Sequence, residues 1–490
     1  MTNLHIMSLL MRTKINIIIQ TASISFLCLF LGACVPGNTK LVADQHEQAT
    51  LSGYDEAAAL YRHENGEPNY NSSDLYQLLL AGKSLHDAGY WNESNTAFQL
   101  AENQLRWKAD KVDTANEALA LVGTTLTNDT MSAYSGKIYE GVMVNYYQAL
   151  NYLMLGDEDK ALVRFNRLGE RQSNASVQLR RYETALKNVK QEIMDSDQTE
   201  VLSESAGQVD GEINSGLSGI PSSNKRSYIR NQSGDLLHAI FRSTNEKKGD
   251  DWQVPKLLQH ARNNAIDGGS RSLAASIENS LGHKNKKYTY VIYEDGTGPY
   301  VTENRIDLPI PFSNSDFIYF GVALPKFNKG HNSSYSFDVV GANSISAVTN
   351  INNMAGIEFQ FSYDAKVNKA LIAGFLKAIA QHEINKEFSD DADPLAGILA
   401  NVFTAVVAKE LTKADVRAWT NLPNRIHMAV IQNENNSNVD IKIDDNNISV
   451  AINSNTNNII YVRKAKASGN VKAFVQTLPA RSLAKNNHVN

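Results

Sequence analysis

Two stretches of this chain carry the same helical spacing, and that repetition limits the fold more than any other feature. From 75 to 105, Leu78, Ala81, Gly82, Leu85, Gly89, Phe98 and Ala101 fall on helical periods. Ala81 and Gly82 are small where two helices would cross, Gly89 marks the turn, and Phe98 with Ala101 packs the second helix back. From 142 to 171, Ala149, Tyr152, Gly156, Ala161 and Phe165 occupy matching offsets. Gly89 and Gly156 stand 67 residues apart, close to twice the roughly 34-residue period of one class of helical repeat. Residues 102–121 keep helical spacing and 123–130 break it, so a degenerate middle unit fits between the two hairpins.

This order and spacing resembles the tetratricopeptide repeat, with Ser94 where alanine is usual. The resemblance implies stacked hairpins that bury a continuous core and leave a concave face for another chain, an architecture that more often binds than catalyses. Tyr134, Tyr139, Tyr146 and Tyr147 read as the rim of that core, with some available to the concave face. A plain helical bundle is the alternative for residues 51–195.

The chain begins with a different signal. An apolar run from 15 to 31, preceded by Arg12 and Lys14, closes in Leu31-Gly32-Ala33-Cys34. Basic flank, short apolar core and small residues describe a secretory leader. The core falls short of the roughly 20 residues that span a bilayer. Its ending resembles the bacterial lipoprotein box, which implies removal of residues 1–33 and lipidation (palmitate among the acyl groups) of Cys34. The alternative makes Cys34 an ordinary residue behind a conventional signal. Met11 is a possible start. Val35 follows the cysteine, where aspartate marks inner-membrane retention, so the resemblance implies the periplasmic face of the outer membrane. Residues 34–50 are polar and read as a tether.

Composition narrows the rest. A chain of 490 residues with 42% hydrophobic and 20% charged residues is globular and long enough for two or three domains. Its net charge of −5 becomes more negative once Arg12 and Lys14 leave, so no basic footprint for nucleic acid exists. Cys28 goes with the leader and Cys34 carries lipid, which removes thiol chemistry, disulfides and cysteine–metal sites together. No cofactor or metal is expected.

Residues 196–226, rich in Ser, Gly, Asn and Asp, read as a linker into an α+β part over 227–480. Helical patches fall at 236–241 and 254–258, and strands at 288–293, 305–311, 317–324, 335–340, 344–348 and 357–361. Residues 294–299, Glu294-Asp295-Gly296-Thr297-Gly298-Pro299, lack the lysine and following helix of a phosphate loop and read as a sharp turn. Val367, Leu371, Phe375 and Ile379 share a helical face, and residues 395–407 form an apolar run of about 14 residues, short for a span and suited to a buried helix. His382-Glu383 is half a zinc-protease motif, but Lys386 stands at the second histidine. Asp415 and Arg417 suit an ion pair, and Trp419 a staple between the helical hairpin before it and the strand at 425–431. Residues 439–443 and 448–452 alternate across Asp444-Asp445-Asn446-Asn447 as a hairpin, followed by strands at 459–462 and 473–475 and a frayed tail at 481–490.

The lipobox, the hairpins with Tyr139-Glu140 ahead of Asn145-Tyr146-Tyr147, the 294–299 turn, and Asp415-Val416-Arg417-Ala418-Trp419 with Leu422-Pro423 together resemble a family of uncharacterised Gram-negative lipoproteins. Members tend to be encoded near small lipoproteins resembling activators of penicillin-binding proteins, which implies an envelope role; the family supplies no catalytic residues. The expectation is a non-enzymatic envelope lipoprotein that binds a periplasmic partner through its hairpins. Its candidate residues are Cys34 for lipid and Gly82, Gly89, Phe98, Ala101, Gly156, Ala161 and Phe165 for repeat packing. The alternative is an envelope hydrolase acting on peptidoglycan or an exopolymer, although no Gly-x-Ser-x-Gly, His-Glu-x-x-His or paired-carboxylate block stands out.

Overall fold

After a short helix, α1 (Tyr54–Ala59), Asp74 opens the first long one. Its carboxylate accepts from the N–H groups of Tyr76 and Gln77, donors that a helix start otherwise leaves open. Helix α2 (Leu75–Ala88) ends at Gly89, whose φ of 90° is a conformation that glycine adopts without a Cβ penalty. Tyr90 then donates its N–H to the Leu85 carbonyl at 2.8 Å, and α3 (Trp91–Ala109) runs back. The second pair, α4 (Ile138–Met154) and α5 (Glu158–Met194), turns in the same way. Gly156 has φ 73° and Asp157 donates to the Tyr152 carbonyl at 2.9 Å.

The computed structural model describes residues 53–109, 134–194, 214–220, 229–245, 252–313, 316–363, 367 and 414–478. These belong to one compact unit, Leu51–Asn490. The leader, Cys34, the tether, most of the expected linker, the middle repeat unit, Leu371, Phe375, Ile379, His382-Glu383, the apolar run at 395–407 and the tail lie outside the described residues.

The molecule is α+β, with helices first and sheets after them. Ahead of the first strand lie α6 (Gln232–Thr244), α7 (Gln253–Asn263) and α8 (Gly268–Gly282). The last was not anticipated, although Asp267 and Ser270 form a reciprocal capping box that sequence displays. Strands β1 (Tyr288–Asp295), β5 (Ser344–Asn350), β6 (Arg425–Gln432), β9 (Asn457–Lys464) and β10 (Lys472–Leu478) form a sheet ordered β10-β9-β1-β6-β5. Within it only β1 and β9 are parallel. Strands β2 (Tyr300–Ser313) and β3 (Asp316–Asn328) pair as a separate long ribbon. A third sheet holds β4 (Phe337–Val339), β7 (Asn438–Ile443) and β8 (Asn446–Ala451).

One expected strand is wrong. Residues 351–363 form a helix, α9, that includes 357–361. Asn350 caps it by accepting from the Asn353 N–H at 3.3 Å, and Ile351, Met354, Ala355 and Tyr363 are buried along it. Local β propensity lost to helical burial spacing.

The five-stranded sheet is the middle layer. Val291, Tyr293, Ile460 and Val462 point to one face, where Val339, Val439, Ile441, Ile443 and Val450 of the small sheet complete an apolar core. Strand period two sends their neighbours Tyr290, Tyr461, Glu294 and Arg463 to the other face. There Tyr461 meets His86 of α2 with ring centroids 4.9 Å apart, and the Tyr290 hydroxyl lies 2.9 Å from the Ser280 hydroxyl of α8.

Candidate functional site

The residues singled out for repeat packing fall at helix crossings and turns. A Cβ on Gly82 would run into the Phe98 ring, and the Ser94 hydroxyl, at the position usually alanine, donates to the Gly82 carbonyl at 2.7 Å. Phe98, Ala101, Ala161 and Phe165 are all buried. Phe165 stacks on His238 of α6 at 5.0 Å, so the second hairpin continues into the helices after it. Gly89 and Gly156 occupy the two left-handed turns. Cys34 lies outside the described residues.

The inner helices do not line an open groove. Every residue of α2 except Gln77 is buried, as are fourteen consecutive or near-consecutive residues of α4 from Tyr139 to Leu153. The chain itself covers them. Trp419, fully buried, sits 5.7 Å from Phe98 and 5.9 Å from Tyr147 between ring centroids. Asn421 donates to the Leu80 carbonyl and the Ser84 hydroxyl. Asp415 and Arg417 pair at 2.8 Å. The Trp419 segment is therefore a staple, but onto the N-terminal hairpins. All four tyrosines, Tyr134, Tyr139, Tyr146 and Tyr147, are core.

The densest polar group sits where α2 meets β1 and β9. Parallel register puts Glu294 opposite Arg463. Helical spacing puts Lys83 and Asp87 on one side of α2, where they pair. The Lys83 ammonium is 3.0 Å from Glu294 and 4.9 Å from the Tyr147 ring centre. Arg463 reaches Asp87 at 3.4 Å and donates to the carbonyls of Glu294, Gly296 and Lys464. The Tyr461 hydroxyl donates to Asp87 and Glu294 at 3.1 and 3.0 Å. Two cations and two carboxylates thus balance with almost no exposure. Burial opposes the Asp87 charge, yet Lys83 and Arg463 hold its carboxyl below the usual range. Burial also opposes the Arg463 charge, and Asp87, Tyr54 and Glu294 outweigh it. His86, buried beside Lys83, is pushed down to about 4 and stays neutral, its Nδ1 2.5 Å from the Asn151 amide oxygen.

A second acidic pair meets at the start of α4. Glu140 accepts from the Tyr134 hydroxyl at 2.6 Å, the Lys137 N–H at 2.8 Å and the Trp419 N–H at 3.1 Å. Glu358, from α9, accepts from the N–H groups of Ile138 and Tyr139 at 2.9 and 3.1 Å, capping α4 from another part of the chain. Burial pushes Glu358 up to about 7. On the far face of the sheet, Asp295 accepts from the N–H and hydroxyl groups of Ser333 and Ser334. Its neighbour in register, Lys464, pairs with Asp444 at 2.9 Å. The 294–299 turn is sharp as expected: Gly296 has φ 75° and a side chain there would strike the His331 carbonyl.

These clusters bind and orient their own backbone. Each carboxylate named already accepts protein donors, an arrangement suited to holding elements together. Sequence reading missed Lys83, Asp87, Glu294, Arg463 and Glu358. The signal was available for two of them: charges closing apolar stretches, Leu78-Leu79-Leu80-Ala81-Gly82-Lys83 and Ile459-Ile460-Tyr461-Val462-Arg463, mark buried pairs. Among the described residues no group of three His, Cys, Asp or Glu could hold a metal ion, and no helix is long and apolar enough to cross a membrane. No family model, no curated protein and no solved structure matches the chain.

Proposed function

We propose that the protein is a lipid-anchored, non-enzymatic scaffold of the cell envelope, on the periplasmic face of the outer membrane, tied to peptidoglycan synthesis or envelope assembly only through the partner it holds. The lipobox at Cys34 supports the anchor. The two hairpins are tetratricopeptide-like: both turn through a left-handed glycine with the same backbone closure, and Gly82 meets Phe98 at the crossing. One observation carries the reading. The inner helices are filled by the chain's own Trp419 segment and sheet, so the hairpins act as an internal frame and a periplasmic protein is met on outward faces.

The long outer helix α5 offers such a face. Val163 and Val177 are exposed and stand two heptads apart, on one side of the helix. A photoreactive residue at either position is expected to crosslink an envelope protein in cells. The hydrolase alternative would use paired acids, and Glu140 with Glu358 is such a pair, but their oxygens are committed to the start of α4. Loss of phenotype in Glu140→Gln or Glu358→Gln at normal abundance, with photoreactive residues at 163 and 177 capturing nothing, would favour the hydrolase instead.

A further inference from the structure

The small sheet, ordered β4-β7-β8, has one closed edge and one open edge. At β4 the Val340 N–H donates inward to the Asp440 carbonyl at 3.0 Å, so the backbone of Val339 faces outward. Both its groups are already used: Asp338 accepts from its N–H at 2.9 Å, and the Ala342 N–H donates to its carbonyl at 3.0 Å. The other edge is β8, Asn446-Asn447-Ile448-Ser449-Val450-Ala451. Its ladder with β7 closes at the pair Ile443 and Asn446 and runs without a bulge to Asn438 and Ala451. Every second pair of such a hairpin exchanges hydrogen bonds. The Ile452 N–H donates to the Ser437 carbonyl at 2.8 Å in the same phase. That phase turns the backbone groups of Asn447, Ser449 and Ala451 away from β7. All three residues are exposed, and no described strand pairs with them there.

Folds usually guard an unpaired edge with proline, charge or a bulge. Strand β2 carries Pro309 and Pro311, and β5 is bulged between Ala347 and Thr349. Strand β8 has no proline, no charged residue and no bulge. The core beside it is also left open. Strand β8 packs over β10, and Ile448 and Ile452 on one side with Val475 on the other stay only partly buried.

We propose that β8 is an interface with a second copy of this chain, the two strands pairing antiparallel about a two-fold axis at Ser449. The strand is complementary to itself in that register. Asn447 falls opposite Ala451 of the second copy and Ser449 opposite Ser449, and each such pair exchanges two backbone hydrogen bonds. Between them Ile448 meets Val450 on the core side, so apolar side chains adjoin where both cores are open. On the solvent side the meeting side chains are small and neutral. The joined sheet reads β4-β7-β8-β8-β7-β4 and ends at the occupied backbone of Val339 on both flanks, which closes the assembly at two copies. An edge of six residues buries less than a standard interface of about 1,600 Å², so the dimer is expected to form at about 10–100 µM. The pairing needs neither the leader nor the anchor.

The test uses the full chain in mild detergent, with Cys28→Ser and Cys34→Ser so that an added cysteine is the sole thiol. Residues opposite each other in a hydrogen-bonded pair have Cα atoms about 5.5 Å apart, within reach of a disulfide. Ser449→Cys is expected to give a disulfide-linked dimer under mild oxidation. Asn447→Cys or Ala451→Cys alone should not, because each would lie about 13 Å along the strand from its own copy; a mixture of the two should. In sedimentation velocity without an added cysteine, the dimer fraction should rise across about 10–100 µM. Ser449→Lys sets two ammonium groups at the axis and should weaken association about tenfold or more, while the melting temperature holds because residue 449 is exposed. A chain that stays monomeric at about 100 µM and gives no Ser449→Cys crosslink overturns the proposal. So does association unchanged in Ser449→Lys, or Asn447→Cys crosslinking by itself as readily as Ser449→Cys, since either puts the contact elsewhere.

Discussion

The ammonium of Lys83 lies 3.0 Å from the carboxylate of Glu294, and neither side chain has any exposure to solvent. One belongs to the second helix and the other to the first strand of the central sheet, so the pair ties helix to sheet inside the core, beside the Asp87–Arg463 contact. Removing one partner leaves an uncompensated charge in the core. Lys83→Met or Glu294→Gln is therefore expected to cost about 3–5 kcal/mol, read as a lower urea midpoint. The double variant Lys83→Met, Glu294→Gln should cost less than the two singles together; a double variant as unstable as the sum of the singles would show that the two do not act as a pair.

The turn glycines give a second expectation. Gly89→Ala meets both a φ of 90° and the Phe474 ring, so it should destabilise by more than the roughly 1 kcal/mol of a helix-interior change. Phe98→Ala and Phe165→Ala, both at fully buried rings, should each cost about 3–5 kcal/mol in thermal or denaturant unfolding. Partner capture at matched protein levels should fall with them through packing, whereas capture by Asp415→Asn should hold.

Glu358 sets a pH dependence. Burial raises its carboxyl from the ordinary value of about 4.5 to about 7, so between those limits the folded chain binds a proton that the unfolded chain releases. Stability from this group is then full below about 4.5, declines as pH rises through the window and is lost above about 7, on the order of 3 kcal/mol in all. His86 works in the opposite direction between about 4 and 6.5, where the unfolded chain takes the proton. Unfolding free energies of wild type and Glu358→Gln at pH 5, 6, 7 and 8 isolate the first effect. Parallel profiles would remove it.

A fragment of residues 51–195 tests how far the hairpins stand alone. Helical pattern suggests an autonomous module, but Lys83, Asp87 and Glu140 have partners in β1, β9 and the Trp419 segment. The fragment should show helix by circular dichroism and melt broadly without cooperativity. A sharp transition near that of the whole chain would contradict the shared core.

Cys34→Ala should abolish palmitate labelling and detergent-phase partitioning. Labelling equal to wild type would end the anchor reading.

Helix turns and strand alternation were legible because local chemistry decides them. Gly89 and Gly156 need a left-handed backbone, and Val439, Ile441 and Ile443 alternate on one apolar face. What escaped was decided by distant segments. Residues 357–361 look β-prone until Asn350 caps a helix and Glu358 meets α4. Lys83 closes an apolar run, which marks it as buried, but nothing local says that its partner across the core is Glu294 of β1. Trp419 announces a buried anchor, but its spacing cannot say that the anchor lies on Phe98 and Tyr147.

The parallel pairing of β1 with β9 also orders events in time. Thr289 finds Asn458 and Asp295 finds Lys464, across a sequence separation that makes the central sheet a high contact-order assembly and slow to form. The chain emerges N-terminus first, so the hairpins are present before β9, and Lys83 and Asp87 wait in a half-built core until nearly the whole chain is available. A chain that stops short of residue 457 has no β9 to complete that core. Nascent forms of the protein should therefore depend on chaperones, and premature termination near the C-terminus should be cleared as thoroughly as termination near the start.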